Sequence, residues 1–231
     1  MKACFVTGTD TEVGKTRISA ALLHRCGQHG WRSAGFKPVA AGMVCLDGIW
    51  VNEDVRALRD ASSVTLVDAE VGPYQFHAAC APHIAAALEG RAIERNCILQ
   101  AAQALAARAD VLVVEGVGGF CVPLGAHWNS ADLAADLQLP VVLVVGLRLG
   151  CLNHALLTAQ AVQARGLHLA AWVGNTLGPQ CPWLAENMQT LTQCLKTHGA
   201  PCLGLVPYLL DPTPELVGSY LDTTVLMQIF A

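Results

Sequence analysis

With 231 residues, 14 Lys+Arg against 18 Asp+Glu and a formal net charge of −4, the chain is long enough for one large domain and lacks the basic surplus that a nucleic-acid partner demands. Only 14% of residues are charged and the mean hydropathy is +0.42, yet the most apolar runs, such as Pro140 to Leu147 and Val111 to Val114, end after a strand's length at Arg148 and Glu115, which argues against membrane helices. The apolar stretch before Asp10 is too short for a signal peptide, and the ten cysteines are scattered without Cys-x-x-Cys spacing, so a cytoplasmic protein with neither disulfides nor zinc is expected.

Short apolar runs alternate with longer helical stretches along the whole chain. In order, the pattern predicts a strand over Ala3 to Thr7, a helix over Thr16 to Gly27, a strand over Ser33 to Val39, and helices over Asp54 to Asp60 and Glu94 to Arg108. Strands over Val111 to Glu115, Val141 to Val145, Leu169 to Asn175 and Cys202 to Val206 follow, with helices over Asn153 to Ala164 and Trp183 to Lys196 between the later ones. Gly42 to Val51 and Pro207 to Pro214 read as the loosest segments. Continuous apolar strands separated by helices imply a doubly wound, mostly parallel α/β sheet flanked by helices, with residues 1–231 forming a single domain.

In such a sheet ligands bind beyond the carboxyl ends of the strands, so the polar residues there carry the functional reading. The first strand runs into Gly8-Thr9-Asp10-Thr11-Glu12-Val13-Gly14-Lys15-Thr16. A glycine loop ending in Gly-Lys-Thr at a helix start offers backbone N–H groups, a positive dipole end and an ammonium to a polyphosphate. The usual pattern has four residues between its glycines; here five separate Gly8 from Gly14. This is a variant phosphate loop, and the fold is accordingly P-loop NTPase-like.

A bound triphosphate calls for Mg²⁺, which takes oxygen ligands, and Thr16, Asp54 and Glu115 are the candidates. Glu115 ends an apolar strand and precedes Gly-Val-Gly-Gly, although a carboxylate there could also face a helix N-terminus; Asp54 could simply cap the helix that follows it. Lys37 stands at the mouth of the sheet beside the loop, where with Lys15 it would place two cations over one small volume and favour transition states rich in oxyanion charge. Asn175 could pair with the N6/N7 edge of adenine or be an ordinary turn asparagine. The helix opening at Gly150, Cys151, Leu152 and Asn153 could hold a carboxylate on its first-turn N–H groups, while His154 reads as a packed or surface histidine.

Taken together, Gly8 to Thr16, Gly35-Phe36-Lys37-Pro38-Val39-Ala40, Asn52-Glu53-Asp54, Ala81-Pro82-His83-Ile84, Val114 to Gly119, Leu149 to Gln160 and Trp172-Val173-Gly174-Asn175 resemble, in order, the motifs of the ATP-dependent dethiobiotin synthetases. The five-residue loop spacing is itself part of the likeness, which covers nearly the whole chain and is weakest over its last thirty residues. The resemblance implies a homodimer that converts 7,8-diaminopelargonate, CO2 and ATP to dethiobiotin, ADP and phosphate through a carbamate and a carbamic-phosphoric anhydride. It places Glu12, Val13, Gly14, Lys15, Thr16 and Arg17 along ATP, and Thr16, Asp54 and Glu115 on Mg²⁺. Lys37 is then the catalytic lysine, with Lys15 beside it and Thr11 near the substrate amines. Glu115, Gly116, Val117 and Gly118 form the nucleotide-side turn, and Asn175, Thr176, Pro207, Tyr208 and Leu209 surround the adenine. Gly150, Cys151, Leu152 and Asn153 receive the substrate carboxylate across the dimer interface.

Two positions depart from the family pattern: Ala41 replaces a common serine that touches the substrate, and Thr176 stands where an aspartate is frequent. Losing the hydroxyl at Ala41 corresponds to roughly 1 kcal/mol of binding. The rival reading is a septum-site or partition ATPase that uses ATP-driven dimerisation as a switch. Proteins of that type carry a second lysine early in the loop, where this chain has Thr9, Asp10 and Thr11, and the tail Leu221 to Ala231 holds no cation.

Overall fold

The computed structural model describes residues 2–231. In chain order its elements are β1 (Lys2–Gly8), α1 (Lys15–Gln28), β2 (Ser33–Phe36), β3 (Val39–Ala41), β4 (Val44–Leu46), β5 (Ile49–Val51), α2 (Glu53–Ala61), α3 (Asp68–Val71), β6 (Tyr74–Phe76), α4 (Pro82–Leu88), α5 (Arg95–Ala106) and β7 (Val111–Glu115). They continue with α6 (Ser130–Leu137), β8 (Val141–Leu147), α7 (Cys151–Ala164), β9 (Leu169–Thr176), α8 (Leu184–Lys196), β10 (Cys202–Val206), α9 (Pro214–Gly218) and α10 (Thr223–Ile229).

Six strands form one parallel sheet in the order β10-β9-β8-β1-β7-β2, flanked by helices. Every residue of β7 and β8 is buried, as a strand covered on both faces must be, and the apolar cluster built on them runs from Ala3 to Phe230. Strand order reverses around β1, with β7 and β2 on one side and β8 on the other. Sheets of this winding open a crevice at such a switch point, beyond the strands' carboxyl ends. The loop after β1 and the ends of β7 and β2 meet there. No helix among the described residues is long and apolar enough to cross a membrane, and all ten cysteines are free thiols.

The strand expected over Ser33 to Val39 is two strands. β2 stops at Phe36, the Lys37 N–H donates to the Val71 carbonyl at 2.7 Å, and β3 then pairs with β6 in a second, small sheet. Pro38 has no N–H to continue a ladder, so the chain changes partner at the lysine. The segment read as loose, Gly42 to Val51, contains the hairpin β4-β5, turning on Asp47 (φ 51°) and Gly48 (φ 82°), the two left-handed residues of a tight hairpin loop. Helix α7 starts earlier than expected, at Cys151, behind Gly150 in a left-handed conformation. Helices α4 and α6 were not anticipated, though both carry start signals: Pro82 in the first turn of α4, and the Asn129 side chain accepting from Ala131 and Asp132 N–H ahead of α6.

Candidate active site

The loop between β1 and α1 is shaped by one buried side chain. Val13, 1% exposed, lies against two glycines: a Cβ on Gly8 would come within 2.6 Å of it and one on Gly146, at the end of β8, within 2.7 Å. Glu12 at φ 60° and Gly14 at φ 94° turn the chain on either side of Val13, which absorbs the fifth residue of the loop. Lys15 opens α1, is nearly buried, and donates from Nζ to the Asp10 carbonyl at 3.0 Å. Burial, followed by the like charge of Lys37, pulls the Lys15 ammonium down to about 8, against the counter-pull of Glu115, Asp54 and Asp10.

Lys37 and two carboxylates form the centre of the crevice. The Lys37 ammonium is 2% exposed and lies 2.6 Å from Glu115 Oε1, 2.9 Å from Asp54 Oδ2 and 3.2 Å from the Gly116 carbonyl. Burial alone would lower its pKa, but Glu115 and Asp54 outweigh that and raise it, so Lys37 is a cation at neutral pH. Asp54 is brought there by its helix: the Asn52 side chain accepts from the Val55 N–H at 3.2 Å, starting α2 with Asp54 in its first turn. Burial would raise the Asp54 pKa; Lys37 and the Thr16 hydroxyl outweigh it and lower it.

The same two carboxylates reach Thr16, whose Oγ1 is 2.7 Å from Asp54 Oδ1 and 2.8 Å from Glu115 Oε1. A hydroxyl carries one proton and cannot donate fully to both. Glu115 is fully buried and its Oε2 has no hydrogen-bond partner. A hydroxyl and two carboxylates that converge, one of them with an oxygen lacking any hydrogen-bond partner, suit a hard divalent cation such as Mg²⁺, which takes oxygen ligands. The three residues expected to hold Mg²⁺ therefore do come together, and the cap of α2 is Asn52, not Asp54.

The other expected residues lie in four places. Thr11 and Arg17 are exposed beside the loop, with Thr11 Oγ1 close to Gly118 in the turn Gly116-Val117-Gly118 that follows Glu115. Ala41 is half-buried at the end of β3. Gly150, Cys151, Leu152 and Asn153 form the start of α7 at the carboxyl end of β8, with Cys151 buried, Asn153 exposed and Leu149 beside them 99% exposed. On the base side the side chains face inward: Asn175 is 2% exposed with its Nδ2 donating to the Val13 carbonyl at 2.9 Å, and Thr176 donates to the Val206 carbonyl at 3.3 Å. This contact uses one of the two Asn175 amide N–H groups and leaves the second N–H and Oδ1 for the expected adenine contact. Tyr208, 42% exposed, and its neighbours Pro207 and Leu209 follow β10.

Two residues outside the expected set complete the loop's surroundings. The Asp10 carboxylate accepts from the Thr11 N–H at 2.8 Å and pairs with Arg148 at 2.7 Å, linking the loop to the segment that leads into α7. The Thr11 N–H, with Arg148, keeps the Asp10 pKa low despite some desolvation. Arg148, a lone cation directly after an apolar strand, was the available signal.

A protein-family model described as an AAA domain matches residues 2–215. The chain is 50% identical over 227 residues to the ATP-dependent dethiobiotin synthetase BioD of Janthinobacterium sp. (strain Marseille), covering 95% of this chain and 93% of that protein. Among solved structures, the MinC:MinD cell division protein complex of Aquifex aeolicus matches with a TM-score of 0.57 at 11% identity, covering 99% of this chain and 94% of that one. This last likeness is one of fold alone.

Proposed function

This chain belongs to the ATP-dependent dethiobiotin synthetase family, and from that premise we propose that it carboxylates 7,8-diaminopelargonate with CO2 and closes the ureido ring at the expense of ATP, giving dethiobiotin, ADP and phosphate. It is an ATP-dependent cyclo-ligase of biotin biosynthesis. The observation that carries the finer reading is the pair of buried ammonium groups: Lys37 sits between Asp54 and Glu115, and Lys15 is near enough to be depressed by it.

In the proposed sequence CO2 adds to the N7 amine as a carbamate with loss of a proton. A carbamate oxygen then attacks the γ-phosphorus and ADP leaves. The second amine attacks the carbonyl of the mixed anhydride and expels phosphate. Lys15 and the N–H groups at the start of α1 hold the triphosphate in line, and Lys37 neutralises the carbamate and phosphoryl oxygens as charge builds on them. Thr16, Asp54 and Glu115 would hold Mg²⁺, which supplies further neutralisation of phosphate charge. Thr11 orients the amines, and Glu12 to Arg17 and Gly116 to Gly118 line the nucleotide. The start of α7 at Gly150 to Asn153 takes the substrate carboxylate from a second copy of the chain, and the exposed Leu149 and Leu157 give that copy apolar surface to cover.

The test is an assay with 7,8-diaminopelargonate, ¹³C-bicarbonate and Mg·ATP. Dethiobiotin carrying the label in its ureido carbon, formed one-for-one with ADP, supports the proposal. ADP released without dethiobiotin overturns it and points to the septum-site type of ATPase, although this loop offers Thr9, Asp10 and Thr11 where such proteins place a second lysine.

A further inference from the structure

We propose that the cleft between α4 and the segment 120–129, which leads from β7 to α6, is a second binding site, one that takes a small monocarboxylate with an apolar body. The cleft has a volume of about 540 Å³, in the range of small-molecule pockets, and shares no residue with the positions proposed for nucleotide, metal or substrate. Ala86 and Ala87 of α4, Ile93 of the linker to α5 and Leu124 give it apolar walls, and Arg91 and Trp128 supply hydrogen-bond donors.

Arg91 is held from one side and keeps its carboxylate-binding edge free. Its guanidinium lies over the rings of Phe76 and Tyr74, 4.8 and 5.8 Å from their centroids, and its Nη1 donates to the Gln75 carbonyl at 3.0 Å and to Glu89 at 3.3 Å. Nε and Nη2, the pair that grips a carboxylate side-on, have no partner among the described residues. Trp128 is fixed by its own loop: the Leu124 and Gly125 N–H groups donate to its carbonyl at 3.1 and 3.3 Å, and a Cβ on Gly125 would fall 2.4 Å from the indole Nε1, so only glycine lets the ring lie there.

The other titratable groups set the charge of the ligand. Glu89 is engaged by Arg91 and His77, His83 contributes an imidazole to the lining, and Glu94 contributes an exposed carboxylate that repels a second negative charge. One carboxylate suits the free edge of Arg91; a phosphate dianion does not suit a cleft that also holds Glu94. Leu124, 2% exposed, lines a further cavity of about 10 Å³ together with Glu115, Gly116 and Pro38, so a single side chain separates the cleft from the surroundings of Glu115.

The experiment titrates the full chain with octanoate, octanamide and inorganic phosphate, following by NMR the Trp128 indole N–H, assigned through Trp128→Phe, and the Leu124 methyl groups. The expected result is a saturable shift of both reporters with octanoate, an affinity at least about fivefold weaker for octanamide, and no saturation with phosphate. Arg91→Gln should weaken octanoate binding by at least about fivefold. So should Ala87→Glu, which adds a negative charge at an exposed helix position, leaves Arg91 in place, and carries the test if the first variant does not fold. No saturable shift, octanoate shifts confined to residues 150–153, equal affinity for octanamide, phosphate matching octanoate, or unchanged octanoate affinity in either folded variant would each overturn the proposal. Every readout is independent of turnover, so a failure to form dethiobiotin leaves this result as it stands.

Discussion

The end of the crevice proposed to take the phosphates and the end proposed to take the base are built from similar residue types used in opposite ways. At the phosphate end Thr16, Lys37, Asp54 and Glu115 contact one another, joining residues 38, 78 and 99 apart. At the base end Asn175 and Thr176 each bond to a backbone carbonyl, that of Val13 or Val206. The first arrangement concentrates charge that a ligand can use; the second fixes backbone.

The comparison breaks most directly at Glu115. Glu115→Ala removes the nearer carboxylate of a buried ammonium and leaves Asp54 and the Gly116 carbonyl, so the ligand-free protein should lose about 3 kcal/mol, read from the shift in urea midpoint. An unchanged midpoint would mean that Lys37 swings out to water at no cost. Next in size, Lys37→Met takes a tethered cation away from two carboxylates, so nucleotide-free Mn²⁺ binding, followed by electron paramagnetic resonance, should tighten by at least about tenfold. Equal or weaker Mn²⁺ binding would separate the lysine from the metal ligands.

The phosphate end was the more legible of the two in sequence, for a physical reason. Gly14, Lys15 and Thr16 act through neighbours in the chain, and Glu115 announces itself as a carboxylate at the end of a buried strand. Lys37 was legible as a strand-end cation, but the break at Pro38 that turns the chain there was misread as continuing strand. The Asn175 contact left no trace because its partner is a backbone carbonyl, which any residue at 13 would supply. The hairpin at Asp47-Gly48 did carry a readable turn signal, and was passed over because its surroundings looked merely loose.

Smaller effects sharpen the contrast from outside the charge cluster. Asn153→Ala, at the exposed start of α7, should weaken 7,8-diaminopelargonate binding by about 1 kcal/mol with ATP affinity unchanged, measured by calorimetry. Equal loss of both affinities would signal misfolding or dissociation. Arg148→Gln breaks a pair whose side chains are 45% and 48% exposed, so the melting temperature should change by no more than a degree or two. A larger shift would mean that the loop depends on Arg148. Smallest of all in energy, Cys4 and Cys26, with thiols raised by burial and Cys26 pushed up to about 12, should resist iodoacetamide at pH 8 while the exposed Cys45, Cys80, Cys97 and Cys121 react. Alkylation of Cys4 or Cys26 in the native protein would reveal opening of the β1 region.

The most direct measurement is single-turnover formation of dethiobiotin by Lys37→Ala, with ATP affinity measured on the same sample. ATP binding within about threefold of wild type, together with a rate at least about tenfold lower, is the expected result, since the loop that holds the phosphates is intact and the charge that answers the developing oxyanion is gone. A near-normal rate would remove the buried ammonium from the chemistry and contradict its central role.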